Sequence, residues 1–235
     1  GFGCAVRGES GQITVPERIA VTGLGDNRIT HFTWSLVRTP AAVVLKSSAW
    51  QYLKSAAERL AAETLAVEQE LVGRPKLHRH LALPRPIRRL LAKRFCQLRA
   101  CPGVRIMRFD SHPTEDGWKV SEVNADVPGG FNEASGWTTL VGENVEEAIA
   151  SGDPAGCLVD AIASRVRPGG AVALVHATAY TDDRQVMIFL ARRLQQCGLQ
   201  AVLVGPDHID WQDGRAFVQS EWFQGPIDFV YRFFP

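Results

Sequence analysis

Hydrophobic and polar residues alternate along two short segments near the middle of the chain, and this alternation predicts a β-hairpin. We expect strands over residues 104–113 and 118–124, joined by a turn at residues 115–117 that contains Asp116 and Gly117. With this turn, the numbers of opposed residues add up to about 232. The spacing therefore fixes the register of the hairpin.

The predicted register gathers four polar side chains on one face. Residues i and i+2 of a strand share a face, so Arg108 lies beside Asp110, and Glu122 beside Asn124. Asp110 is expected opposite Glu122, with Cβ atoms roughly 5 Å apart. Opposed carboxylates repel one another unless a cation lies between them, and Mg²⁺ prefers hard oxygen ligands. The pattern thus predicts a magnesium site made by Asp110, Glu122 and the amide oxygen of Asn124.

A hairpin that binds no metal is the alternative. Charged strand faces are common in antiparallel sheets. On such a hairpin, water would solvate Asp110 and Glu122, and Arg108 would neutralise one of them. Periodicity alone does not separate the two interpretations.

Apolar residues recur at helical spacing before the hairpin. A long helix is expected from Ser47 or Ser48 to about residue 71, with Gly73 ending it. A second helix is expected over residues 87–99. After the hairpin, residues 131–144 are expected to form a loop, followed by a short helix over residues 145–150.

Residues 151–235 show the pattern of an α/β lobe. The continuous apolar runs at residues 171–175 and 200–204 predict two buried parallel strands. Further elements are expected as follows: a helix from about Pro154 to residue 166, a helix from Asp182 or Asp183 to Cys197, and strands at residues 216–218 and 227–231. We therefore predict an α/β fold in two parts, residues 1–150 and 151–235.

The number and spacing of the cysteines favour a reducing compartment for the protein. The 235 residues are 46% apolar and 22% charged, which suits one large or two small domains with a core. The five cysteines are scattered and form no C-x-x-C pair, and no apolar run approaches the roughly 20 residues of a membrane span. We expect a cytoplasmic protein without a membrane partner.

Charge is distributed unevenly although the net charge is only +1. Eleven of the 26 Lys and Arg residues lie between Arg74 and Arg108, a stretch without Asp or Glu. Such a block could bind nucleic acid, but Phe95 is its only aromatic residue and it holds no nucleic-acid motif. A solvated helix face, or a positive wall near an anionic ligand, is the preferred interpretation.

Arg108-x-Asp110 followed by Glu122-x-Asn124 resembles the R-x-D and E-x-N strands of the ATP-grasp ligases. The likeness is to their circularly permuted branch, which includes the glutathionylspermidine synthetase family, and it covers about residues 100–235. The residues that follow, Pro128-Gly129-Gly130, resemble the next turn of that family.

The resemblance implies roles for these residues. Asp110, Glu122 and Asn124 would hold Mg²⁺, and Arg108 would be the catalytic residue that faces the phosphate. The remaining pair, Gly129 and Gly130, would let the backbone come close to ATP, although a plain turn is an equally good role for them.

The resemblance also implies a fold and a reaction. The chain would be part of a circularly permuted ATP-grasp protein, with residues 151–235 as a Rossmann-like pre-ATP-grasp lobe. The reaction would be ATP- and Mg²⁺-dependent ligation of a small-molecule or peptide carboxylate to an amine, through an acyl phosphate. Residues 231–235 resemble the family's Y-x-x-Y-P segment, which precedes the lysines that hold the ATP phosphates, so we expect those lysines beyond residue 235.

Two other functions stay open. One is a non-catalytic ATP-grasp-like module that binds a peptide or an anionic metabolite. The other, which the sequence favours less, is a basic nucleic-acid-binding protein.

Overall fold

The computed structural model describes four ranges of the chain: residues 4–7, 43–98, 106–145 and 149–234. They confirm the predicted mixed α/β class. The chain divides into two compact units, one formed by residues 51–128 and the other by residues 1–50 and 129–235. The division near residue 150 that the sequence suggests stays a prediction. Within the four described ranges, every helix is too short or too polar to cross a membrane.

Helices make up the first part of the unit formed by residues 51–128. They are α1 (Ser47–Gly73), of which all but the first four residues belong to this unit, a 3₁₀ turn (Pro75–Arg79) and α2 (Arg85–Leu98). Both predicted helices are thus found, and α2 begins earlier than expected because Pro86 is tolerated in the first turn of a helix. His78 is buried, and its Nε2 lies 2.8 Å from the carbonyl oxygen of Leu71, which fastens the 3₁₀ turn to the end of α1.

The second part of this unit is the predicted hairpin. Its strands are β3 (Arg108–Thr114) and β4 (Gly117–Asn124). The turn depends on Gly117, which has a φ of 96°, a conformation that L residues rarely adopt. The Thr114 hydroxyl donates a hydrogen bond of 2.6 Å to the carbonyl oxygen of Gly117, which closes the turn.

A three-stranded parallel sheet lies in the other unit. Its strands, in spatial order, are β11 (Phe229–Phe233), β6 (Ala171–His176) and β7 (Gln200–Val204). The central strand β6 is buried along its whole length, which explains its continuous apolar sequence. As predicted, a helix, α5 (Thr181–Gln196), links β6 to β7, and Gly198, with a φ of 78°, follows its end.

A three-stranded antiparallel sheet packs against the parallel one. Its strands, in spatial order, are β10 (Gln224–Ile227), β9 (Arg215–Gln219) and β8 (Ile209–Gln212). Buried side chains of both sheets form one cluster: Ala171, Ala173, Val175, Val202, Val204, Ala216, Val218 and Ile227. The strand predicted at residues 227–231 is divided at Asp228, whose carboxylate accepts a hydrogen bond of 2.8 Å from the backbone N–H of Ala171.

Residues 131–144 are helical, so the predicted loop was wrong. A π-helical turn (Asn132–Trp137) runs into α3 (Thr138–Asn144). Two glycines and several small polar residues lower the helix propensity of this segment, but burial of Phe131, Ser135, Thr138 and Val141 on one face outweighs it. A Cβ on Gly136 would lie 3.2 Å from the ring of Phe189 in α5, so a larger residue there would require that ring to shift by a few tenths of an ångström.

The short helix predicted over residues 145–150 was also wrong at the residues that the structure describes there, 145, 149 and 150, whereas 146–148 lie outside the described residues. Ile149–Ala150 forms β5, which pairs antiparallel with β1 (Cys4–Arg7). The opposite side of β1 pairs parallel with β2 (Val43–Lys46). Gly142 permits the close approach of α3 to β5, since a Cβ there would lie 3.2 Å from the backbone nitrogen of Ala150.

Candidate magnesium site on the hairpin

The predicted register of the hairpin is confirmed where it carries the four polar residues. Arg108 pairs with Asn124, and Asp110 pairs with Glu122. Because alternate residues of a strand share a face, the side chains of these four residues lie on one side of the β3–β4 ribbon. The two carboxylates are thus directly opposed, as the magnesium-site interpretation requires.

A β-bulge follows immediately after the opposed carboxylates. The next pair is Ser111 with Val120, which leaves Ser121 without a cross-strand partner. The Ser121 hydroxyl donates to the carbonyl oxygen of Asp110 at 3.2 Å and lies 2.7 Å from Nε2 of His112. Bulges of this kind bend a strand and re-aim its side chains, often next to functional sites.

Arg108 holds both carboxylate oxygens of Asp110. Its Nε donates to Oδ1 at 2.8 Å and its Nη2 to Oδ2 at 3.0 Å. The side chains are 44% and 32% exposed, so water screens the pair only in part. The hydrogen bonds from Arg108 are the main reason that the pKa of Asp110 lies below its ordinary value.

Glu122 and Asn124 are joined in the same way along the other strand. Asn124 Nδ2 donates to Oε1 of Glu122 at 3.0 Å. Because the nitrogen of the amide is engaged with the carboxylate, Oδ1 is the atom of Asn124 that a cation would contact.

The donor set of this face suits Mg²⁺. Asp110, Glu122 and Asn124 offer two carboxylates and an amide oxygen, and Mg²⁺ commonly keeps waters or phosphate oxygens in its other positions. Across the ranges that the structure describes, no group of three or more His, Cys, Asp and Glu side chains is placed to hold a metal. Any ion on the hairpin would therefore be held by two carboxylates and the amide.

Gly129 and Gly130 belong to the other compact unit, not to the unit that contains the hairpin. Gly130 has a φ of 91° and immediately precedes the helical segment that begins at Phe131, where its carbonyl oxygen accepts a hydrogen bond of 2.9 Å from the N–H of Ala134. A Cβ on Gly129 would make an ordinary contact of 3.9 Å with the ring of Phe233. Only Gly130 is thus required to be glycine by its conformation.

In comparisons with known proteins, no family model matches the chain and no curated protein matches it.

His176, to which no sequence motif assigns a role, is one of the few buried polar residues of the described structure. It ends β6, is 1% exposed, and its Nε2 has no hydrogen-bond partner among the described residues. Its Nδ1 makes a long contact of 3.4 Å with the carbonyl oxygen of Leu174. Burial lowers the pKa of His176 below its ordinary value, so the ring is neutral near pH 7. The sequence does contain a signal that points to His176 as a candidate functional residue: it is a polar residue at the end of a fully apolar strand. Ligands of open α/β sheets bind at the carboxyl ends of the strands.

Proposed function

We propose that this chain is part of an ATP- and Mg²⁺-dependent carboxylate–amine ligase of the circularly permuted ATP-grasp type, similar to glutathionylspermidine synthetases. The observation that carries the proposal is the pairing of Arg108-x-Asp110 with Glu122-x-Asn124 on one face of the hairpin. Residues 151–235, with the parallel β6–α5–β7 unit, support it as a Rossmann-like pre-ATP-grasp lobe.

The reaction has two steps. The substrate carboxylate attacks the γ-phosphorus of ATP, which breaks the bond to the bridging oxygen and gives an acyl phosphate and ADP. An amine then attacks the acyl carbon, and phosphate leaves as the amine loses a proton. The substrates would be a small-molecule or peptide carboxylate and an amine.

Each residue of the hairpin face has a role in the first step. Asp110, Glu122 and Asn124 would hold Mg²⁺, which neutralises charge on the ATP phosphates when bound. Arg108 would stabilise negative charge on the transferred phosphoryl group through its guanidinium donors.

A non-catalytic binding module is a second candidate, and one observation favours it. Arg108 already pairs with both carboxylate oxygens of Asp110, so this face needs no Mg²⁺, and therefore no ATP turnover, to balance the charge of that carboxylate. Such a module would bind a peptide or an anionic metabolite without turning over ATP.

Trapping of the acyl phosphate tests the proposal. Hydroxylamine can replace the amine, because it converts an acyl phosphate to a hydroxamate. The amine substrate therefore need not be known. The intact protein is incubated with ATP, Mg²⁺, hydroxylamine and each member of a panel of amino acid and peptide carboxylates. We expect one carboxylate class to give hydroxamate together with an equal amount of ADP. Absence of both products across the panel would refute ligase activity in favour of the binding module.

Matched variants test whether formation of the hydroxamate requires the side chains of the hairpin face. Asp110→Asn and Glu122→Gln should abolish hydroxamate formation without changing the circular dichroism spectrum. Glu115→Gln is the control, because it makes the same chemical change at an exposed turn position of the same hairpin. Normal turnover in the first two variants would show that the site lies elsewhere.

A further inference from the structure

The opposed carboxylates already have a cation beside them. Asp110 and Glu122 face one another, and two like charges in this position destabilise a hairpin. Arg108, on the same strand and the same face as Asp110, offsets this repulsion with hydrogen bonds of 2.8 and 3.0 Å. The hairpin can therefore fold without a metal ion.

This contact uses the positions of Asp110 that a cation favours. A carboxylate has about four lone-pair sites, and a bidentate arginine takes one on each oxygen. A dication on the remaining sites would lie next to the guanidinium, and the two positive charges would repel one another. The Asp110 carboxylate can therefore bind either the guanidinium or a dication strongly, but it binds both at the same time only weakly.

We propose that Arg108 is the resident counter-cation of the metal-free hairpin and that Mg²⁺ binds by displacing its guanidinium from Asp110. The inference rests on the magnesium site of the proposed function, but not on the ligase reaction. Displacement implies that the metal binds first and Arg108 moves second. Once the metal is bound, the Arg108 guanidinium leaves Asp110 and can contact the group that the metal binds.

The energetic cost of displacement is modest. The ion pair is about one-third to one-half exposed, and pairs of that kind contribute little because water competes with them. Removing the arginine should therefore tighten metal binding by about two- to fivefold. A simple positioning role for Arg108, in which it holds Asp110 ready for the metal, predicts the opposite change.

Metal affinity measured without ATP separates these roles. Mn²⁺ is the probe, and its binding to the intact protein is followed by electron paramagnetic resonance. We expect Arg108→Gln to bind Mn²⁺ about two- to fivefold more tightly than the wild type, with Arg108→Lys between them because lysine keeps the charge but not the two-point contact. Lys119→Gln is the control for charge alone, because Lys119 lies on the same hairpin, opposite His112. An equal gain in Lys119→Gln would overturn displacement.

A second measurement follows Arg108 itself. The Nε–H of Arg108, hydrogen-bonded to Asp110 in this structure, should give a nitrogen-15 resonance that shifts as Mg²⁺ is added, together with the side-chain amide of Asn124. Unchanged or weaker Mn²⁺ binding in Arg108→Gln, or a fixed Arg108 resonance while that of Asn124 shifts, overturns displacement and leaves the metal site intact. No Mn²⁺ binding in any variant overturns both the metal site and the proposed function.

Discussion

Arg193 in α5 donates hydrogen bonds to both carboxylate oxygens of Asp153, at 2.8 Å to Oδ1 and 2.6 Å to Oδ2. Oδ1 also accepts a hydrogen bond of 3.0 Å from the N–H of Gly156, so Asp153 caps α4 (Pro154–Ala163) and ties it to α5. Burial alone would raise the pKa of Asp153, but the hydrogen bonds from Arg193 and Gly156 outweigh it and hold the pKa below its ordinary value.

Loss of this cap should destabilise the unit that contains the parallel sheet. We expect Asp153→Ala to lower the free energy of unfolding by about 0.5–2 kcal/mol, the range typical of N-cap residues replaced by alanine. Asp153→Asn should lose less, because asparagine is also a good N-cap. Urea unfolding measures both changes, and Asp160→Ala, at an exposed position of the same helix, is the control. An equal effect at Asp160 would show that the cap is not responsible.

Burial of His176 should make stability depend on pH. The pKa of the imidazole is lowered in the folded state, whereas in the unfolded chain it is about 6.5. Below pH 6.5 the unfolded chain thus binds more protons than the folded one, and stability should fall by up to about 1.4 kcal/mol for each further unit of pH, until the folded pKa is reached.

The measurement for His176 is urea unfolding at about pH 7.5 and about pH 5.5. His176→Gln should reduce the difference in stability between the two conditions. His80→Gln, at an exposed histidine, should leave that difference unchanged. If the wild type and His176→Gln lose the same stability on acidification, the imidazole is not the cause.

The hairpin was predictable because two simple constraints act on it. A side-chain period of two and a short turn at Gly117 determine which residues face one another, and Asp110 opposite Glu122 follows. The bulge at Ser121 was not predictable, since serine carries no bulge signature and the bulge depends on its contacts with Asp110 and His112. The contact between Arg108 and Asp110 was foreseen only in the alternative of a solvated hairpin.

Other elements depend on tertiary burial and were harder to predict. The helical segment over residues 131–144 has apolar or small residues at Phe131, Ser135, Thr138 and Val141, a helical spacing that its glycines and polar residues obscure. The β6–α5–β7 unit was clear because buried parallel strands have continuous apolar sequences. By contrast, β8 (Ile209–Gln212) is short and mostly exposed, so its pattern is weak.

Replacement of Gly130 should test whether its backbone conformation matters. Its φ of 91° is unfavourable for any residue with a Cβ, so Gly130→Ala should cost about 1–2 kcal/mol of unfolding free energy. Gly129→Ala is the matched control, because its Cβ would make only an ordinary contact with Phe233. Equal stability of the two variants, measured by urea unfolding, would argue against strain at Gly130.

Mg²⁺ should reverse the sign of the effect that Glu122→Gln has on the free energy of unfolding. Without metal, Glu122→Gln removes one of two opposed carboxylates and should leave the free energy of unfolding unchanged or raise it by a few tenths of a kcal/mol, about 0.2–0.5. With Mg²⁺ at about 100 times its dissociation constant, the wild type should gain about 2.7 kcal/mol, because an ion that binds the folded hairpin and not the unfolded chain stabilises the fold by this amount. Glu122→Gln should lose most of this gain, and Glu115→Gln in the turn should keep it. If Mg²⁺ stabilised Glu122→Gln as much as the wild type, the ion would bind elsewhere, and the opposed carboxylates would be a surface feature without a metal role.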